Sequence, residues 1–120
     1  MIIAIRTLTV ETPEGERPVE VKIFQPEHAG REHEWDCRYE IDWPEGKRRG
    51  FGGGNDALAA ILAAVDCTAV DVYASPYHTA RKMFWLKPWV GYGLPMHKGA
   101  REVLIGHDQE FFGLDPKDGN

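Results

Sequence analysis

The run Trp35-Asp36-Cys37-Arg38-Tyr39-Glu40-Ile41-Asp42-Trp43-Pro44-Glu45-Gly46 decides the fold class. From Trp35 to Trp43 apolar and charged side chains alternate without a break, the period of a strand with one buried and one wet face. Pro44 presets φ for a turn and Gly46 accepts a left-handed backbone, so residues 47–52 read as a return strand. A three-residue loop with a glycine bulge places Asp42 opposite Arg48 on the wet face and Tyr39 opposite Phe51 on the core face.

Towards the amino terminus the device recurs as Thr12-Pro13-Glu14-Gly15-Glu16, between β-rich runs at residues 2–11 and 18–25. The same closure sets Ile5 opposite Ile23, Thr7 opposite Val21 and Thr9 opposite Val19. Ile3, Ile5, Val19, Val21 and Ile23 then form the core face, with Arg6, Glu20 and Lys22 pointing to water. Residues 26–34 form a polar loop joining the two hairpins.

Towards the carboxyl terminus, Gly50-Phe51-Gly52-Gly53-Gly54-Asn55-Asp56 ends the sheet and opens a helix, with Asn55 or Asp56 as N-cap. Leu58, Ile61, Leu62, Val65, Ala69, Val72 and Tyr73 make an apolar stripe at helical spacing. Ala57, Ala60, Ala63, Ala64 and Cys67 occupy the other side, and Pro76 ends the element. Lys82 to Leu86 reads as a fifth strand, Gly91 to Pro95 as a turn, and Ala100 to Ile105 as a short C-terminal helix. The fold class is α+β: two antiparallel β-hairpins forming a curved sheet packed on one long helix. One domain spans residues 1–112, and residues 113–120 form a flexible acidic tail.

A chain of 120 residues has room for a single core. Its net charge of −5 disfavours nucleic acid, whose phosphates need a dense positive face. The two cysteines, Cys37 and Cys67, show no C-x-x-C spacing, no run of apolar residues is long enough to span a membrane, and Met1 to Arg6 lacks the basic start of a secretory signal. These features point to the cytoplasm.

The residues that could carry chemistry each have a plainer reading. The glycine run before the helix matches neither phosphate-binding fingerprint, and Asp56 sets negative charge where an anion would bind. His28 and His33 lie in an acidic loop while Cys37 points to the core, so no metal site is expected. Ser75 precedes His78 by three residues, but no third group or oxyanion hole can be picked out. No catalytic residue and no cofactor are assigned, and the chain is read as leaning away from enzymes.

Residues 73–92 stand apart. Tyr73, Tyr77, Phe84, Trp85, Trp89 and Tyr92 are six of 13 aromatics, and residues 77–101 hold five bases and no acid. Rigid aromatic anchors interleaved with charge are the composition of a protein-binding surface. The expected contacts are Arg81, Lys82, Trp85, Lys87, Trp89 and Tyr92, and the expected partner is a protein with an acidic surface.

In order and wording the chain resembles a family of small, uncharacterised bacterial proteins built on a domain of unknown function. The resemblance rests on Ile5-Arg6-Thr7-Leu8, on Trp35 to Ile41, on Gly54-Asn55-Asp56-Ala57-Leu58-Ala59-Ala60-Ile61-Leu62, and on Trp85 with Gly91-Tyr92-Gly93-Leu94-Pro95; it covers about residues 1–96. Ala59 departs from it, a glutamine being usual there. The resemblance implies a bacterial cytoplasmic protein and supports the fold, and it transfers no activity. The leading functional expectation is a non-enzymatic binding protein, of the immunity type that neutralises a toxin domain by analogy with small acidic inhibitors. The alternative is a small-ligand or hydrolytic domain with a pocket between sheet and helix lined by Trp35, Tyr39, His78 and Trp85. A homodimer is compatible with either.

Overall fold

The computed structural model describes residues 1–88, 90–95, 105, 106 and 108. Strands β1 (Ile2–Thr12) and β2 (Gly15–Phe24) form the first hairpin, and β3 (Glu27–His28) follows. Strands β4 (Trp35–Trp43) and β5 (Gly46–Gly54) form the second, leading into helix α1 (Ala57–Tyr73), the one-turn helix α2 (Pro76–Thr79) and strand β6 (Met83–Phe84). All pairings are antiparallel. The sheet runs β5-β4-β2-β1-β6, with β3 continuing along the β4 edge beyond β2. An α+β sheet on one long helix is the architecture expected. The fifth strand appears as the two-residue β6. The expected helix at residues 100–105 lies, apart from Ile105, outside the described residues, as does the tail at 113–120.

Both Pro-Glu-Gly turns close over two residues rather than three. Thr12 pairs with Gly15 and Trp43 with Gly46, and each glycine takes a positive φ, +112° and +150°. In the first turn the Thr12 hydroxyl donates to Gly15 O at 2.7 Å and accepts the Glu14 N–H at 3.2 Å, which fastens the tighter closure. One residue of register turns a strand over. In β1 the buried residues are therefore Leu8, opposite Val19, and Val10, opposite Arg17, while Ile3 and Ile5 are exposed. Arg6 stands opposite Val21 and turns inward instead of to water.

The second hairpin shifts in the same sense. Cys37, Tyr39 and Ile41 are buried as the alternation requires, but Tyr39 faces Gly50 and Cys37 faces Gly52. Phe51 lies opposite Arg38 on the wet face, 62% exposed, and Asp42 faces Lys47. Arg48 sits on the helix side and reaches Asp71 at 3.2 Å. On the wet face Lys22–Asp42, Lys47–Glu40, Arg49–Glu40 and Arg38–Glu27 form a ladder of ion pairs.

The core-facing glycines seat the helix. A Cβ built at Gly52 would lie 2.2 Å from the Ala64 amide nitrogen, and one at Gly54 would lie 2.6 Å from that of Ala60. Backbone therefore meets backbone, and Ala60 and Ala64 are fully buried. This rotates the first half of α1 away from the expected face: Leu58 and Leu62 are 63% and 58% exposed. Further along, Ala69, Val72 and Tyr73 are buried as expected. Asp56 is the N-cap, accepting the Ala59 N–H at 2.7 Å. The helix covers β5 and β4 and only grazes β2. The core face of β1 is left to Met83 and to the segment around Tyr92 and Leu94.

Candidate binding surface

The chain leaves α1 through Ser75, which serves two backbones at once. Its hydroxyl donates to Val72 O at 2.8 Å and accepts the His78 N–H at 3.2 Å, capping α2, where Pro76 takes the first turn. Ser75 is buried and meets the His78 amide instead of the imidazole, so the Ser75–His78 spacing serves a cap.

Behind this cap lies a buried polar cluster. Asp108, wholly enclosed, accepts the Tyr92 and Gly93 N–H groups at 2.7 Å each and the Tyr73 hydroxyl at 2.8 Å. The Tyr73 oxygen accepts the Ile105 N–H at 3.3 Å, and the Tyr92 hydroxyl bonds His78 Nδ1 at 2.6 Å. The Tyr73, Tyr92 and His78 rings meet edge to face at 4.8–5.6 Å. Arg6 closes the cluster from β1: its Nη1 donates to Tyr92 O and its guanidinium stacks 3.9 Å over Trp85. Burial raises both tyrosine pKa values, helped at Tyr73 by the bond to Asp108 and at Tyr92 by its charge. Burial also lowers His78 and Arg6, the latter partly offset by Asp108. Each group here is spent on another of the same chain. Two protonated phenols and a satisfied carboxylate hold the 92–93 turn under the sheet.

The cluster carries β6 and its following turn at the rim of the sheet. Arg81 (φ 57°) and Lys82 are exposed, and Lys82 O accepts the Glu11 N–H at 2.8 Å. After Met83 and Phe84 a tight turn brings the Lys87 N–H onto Trp85 O at 2.7 Å. At its tip Leu86, at φ 66°, is 75% exposed beside exposed Lys87. The expected contacts thus divide. Arg81, Lys82 and Lys87 stand on one rim. Trp85 is half-buried under Arg6, so it braces the turn and leaves Leu86 as the exposed apolar group. Tyr92 is a correction: at 1% exposure, with its hydroxyl on His78, it is core and no partner can reach it. Trp89 lies outside the described residues.

Trp35 and His78, two of the residues expected to line the alternative pocket, stand far apart. Trp35 packs edge-on to His28 at 5.2 Å at the start of β4, and Tyr39 donates to Asp71 Oδ2 at 2.5 Å. His78 follows Tyr77, which stacks on Trp43 at 5.4 Å at the far end of β4, roughly 26 Å along the strand from Trp35. Among the described residues no three His, Cys, Asp or Glu side chains converge as a metal site would need, and no helix is long and apolar enough to cross a membrane. Cys37 and Cys67 are free thiols, raised in pKa by burial.

Sequence reading missed Arg6, Asp108 and Leu86. Arg6 shares strand parity with Leu8 and Val10, a signal that the correct register would have exposed. No pattern marked Asp108, whose partners are mostly backbone amides.

Among curated proteins and solved structures, none matches this chain. One family model does, over residues 4–96, from the first strand to just past the Tyr92 turn. That span takes in most of β1, strands β2 to β6, helices α1 and α2 and the rim, and it places the chain in the DUF6968 family, a domain of unknown function.

Proposed function

We propose that the protein is a non-enzymatic binding module that docks an acidic protein surface on the β6 rim, through Arg81, Lys82, Leu86 and Lys87. One contrast supports this reading above others. Four bases of the wet face, Lys22, Arg38, Lys47 and Arg49, each bridge to a carboxylate of the chain. Among the described residues Lys82 and Lys87 have no carboxylate within ion-pair distance, and Leu86 stands beside them 75% exposed. Unpaired charge around an exposed apolar side chain steers and then anchors a partner. The Arg6–Trp85 stack and the Lys87–Trp85 bond hold this turn before any partner arrives, which lowers the ordering cost of binding. A bacterial immunity-type inhibitor is the finer form of this reading; it requires a toxin domain that offers an acidic patch to the rim.

A photo-cross-linking residue at position 86 in the native host identifies the partner, and the purified pair is then titrated. Leu86→Asp is expected to cost about 2 kcal/mol of affinity, a hot-spot loss. Lys87→Glu is expected to slow association about tenfold, more at low salt. Neither should move the melting temperature, since both side chains are exposed. A partner that binds both variants as it binds wild type overturns the assignment.

A further inference from the structure

A strand at the rim of a sheet offers unpaired N–H and C=O groups, and proteins normally guard such edges with charge, proline or cover. β6 pairs with β1 only at Thr9–Phe84 and Val10–Met83, continued by the bond from Glu11 N–H to Lys82 O. Backbone groups alternate in direction along a strand, so the odd positions of β1 point to this edge. Past Thr9 the next two, Thr7 and Ile5, have no strand partner among the described residues. Among the described residues the usual guards are missing as well. From Ile2 to Thr7 there is no proline, and the one charge, Arg6, is folded under onto Tyr92 and Trp85. Ile2, Ile3 and Ile5 are 41%, 45% and 49% exposed. Ile5 also lines an open apolar cavity with Ala4, Val65 and Leu94, so exposed apolar surface continues from the edge to the helix.

We infer that this edge is a self-association surface, on which β1 of a second copy pairs antiparallel about a two-fold axis near Ile5. Three features favour a second copy as the occupant. A two-fold axis sets an edge against itself, which repels if the edge is charged, and among the described residues this one sets no charge outward between Ile2 and Thr7. Antiparallel pairing within one sheet keeps both core faces on the same side, so the two apolar cavities become neighbours and each copy helps cover the other. The unpaired run is also short: a long strand of an unrelated protein would meet β6, whereas β1 of a second copy carries its own β6 on the matching side.

The test combines sedimentation equilibrium, from micromolar to near-millimolar protein, with amide exchange on the unmodified chain. A dimer that dissociates on dilution is expected, with the Ile5 and Thr7 amides protected in the dimer and exchanging freely in the monomer. Ile5→Lys should weaken the dimer at least tenfold, an effect on the order expected for a charge placed on a pairing edge. Leu58→Lys, on the far side of the helix, should leave it intact. A monomer at every concentration overturns the inference. So does a dimer whose Ile5 and Thr7 amides stay unprotected, or one broken by Leu58→Lys and not by Ile5→Lys. Should Ile5→Lys fail to fold, the exchange measurement on wild type decides alone.

Discussion

The two sides of the sheet are covered by opposite means. At β5 the cover is backbone: Gly52 and Gly54 let α1 approach until Ala60 and Ala64 touch the strand, leaving no room for one methyl group. At β1 the cover is a polar strap, in which Asp108 gathers Tyr73, Tyr92 and Gly93 while Arg6 reaches down from the strand. The first arrangement is dense, and its polar contacts stand at the margin, where Tyr39 and Arg48 meet Asp71. The second leaves an open cavity, exposed isoleucines and the β6 rim around it. Close packing has taken the alanines and left Leu58 and Leu62 outside, so exposed apolar surface lies on the outer face of α1 as well as along the β1 edge.

The strap is the easier side to break. Asp108→Ala leaves two amides and the Tyr73 hydroxyl without their acceptor, and should cost about 3 kcal/mol in urea unfolding. Exchange at Tyr92 and Gly93 should rise well before exchange in α1 does. If α1 loosens equally, the two sides are one cooperative unit and the contrast fails.

A smaller effect sharpens the contrast at the helix. Tyr39 Oη donates to Asp71, which also holds Arg48, and burial followed by that bond pushes its pKa up to about 12. A phenol whose folded pKa is raised binds its proton more tightly folded than unfolded. Its stabilisation is therefore complete below pH 10 and declines as pH rises from there through 12. Tyr39→Phe should lose about 1 kcal/mol at neutral pH. Between pH 9 and pH 11.5 the variant should also lose less stability than wild type does. Parallel losses in denaturation at the two pH values would show that Tyr39 does not carry that linkage.

The sequence made β4 legible because its two parities differ in kind, apolar against charged. β1 is apolar on both parities, with Ile3 and Ile5 on one and Leu8 and Val10 on the other, so its register depended on a turn whose loop length the Pro-Glu-Gly signature leaves ambiguous. The helix was legible as a helix, with its cap at Asp56, but not in its rotation. Hydropathy ranks Leu58 and Leu62 above alanine, whereas contact distance is set by glycines on another element. The bases of the rim could be read from their clustering. That Tyr92 is core could not, because its burial depends on Asp108, which lies 16 residues away and shares no periodicity with it.

The seating of α1 on glycine underlies the whole contrast, and one paired measurement tests it: urea unfolding of Gly52→Ala beside Leu62→Ala. Adding a methyl group against the Ala64 backbone should cost about 3 kcal/mol, because strand and helix must separate. Removing three carbons from Leu62, 58% exposed, should cost under about 1 kcal/mol. The reverse order, with Leu62→Ala the more damaging, would put the leucine stripe in the core and contradict the account.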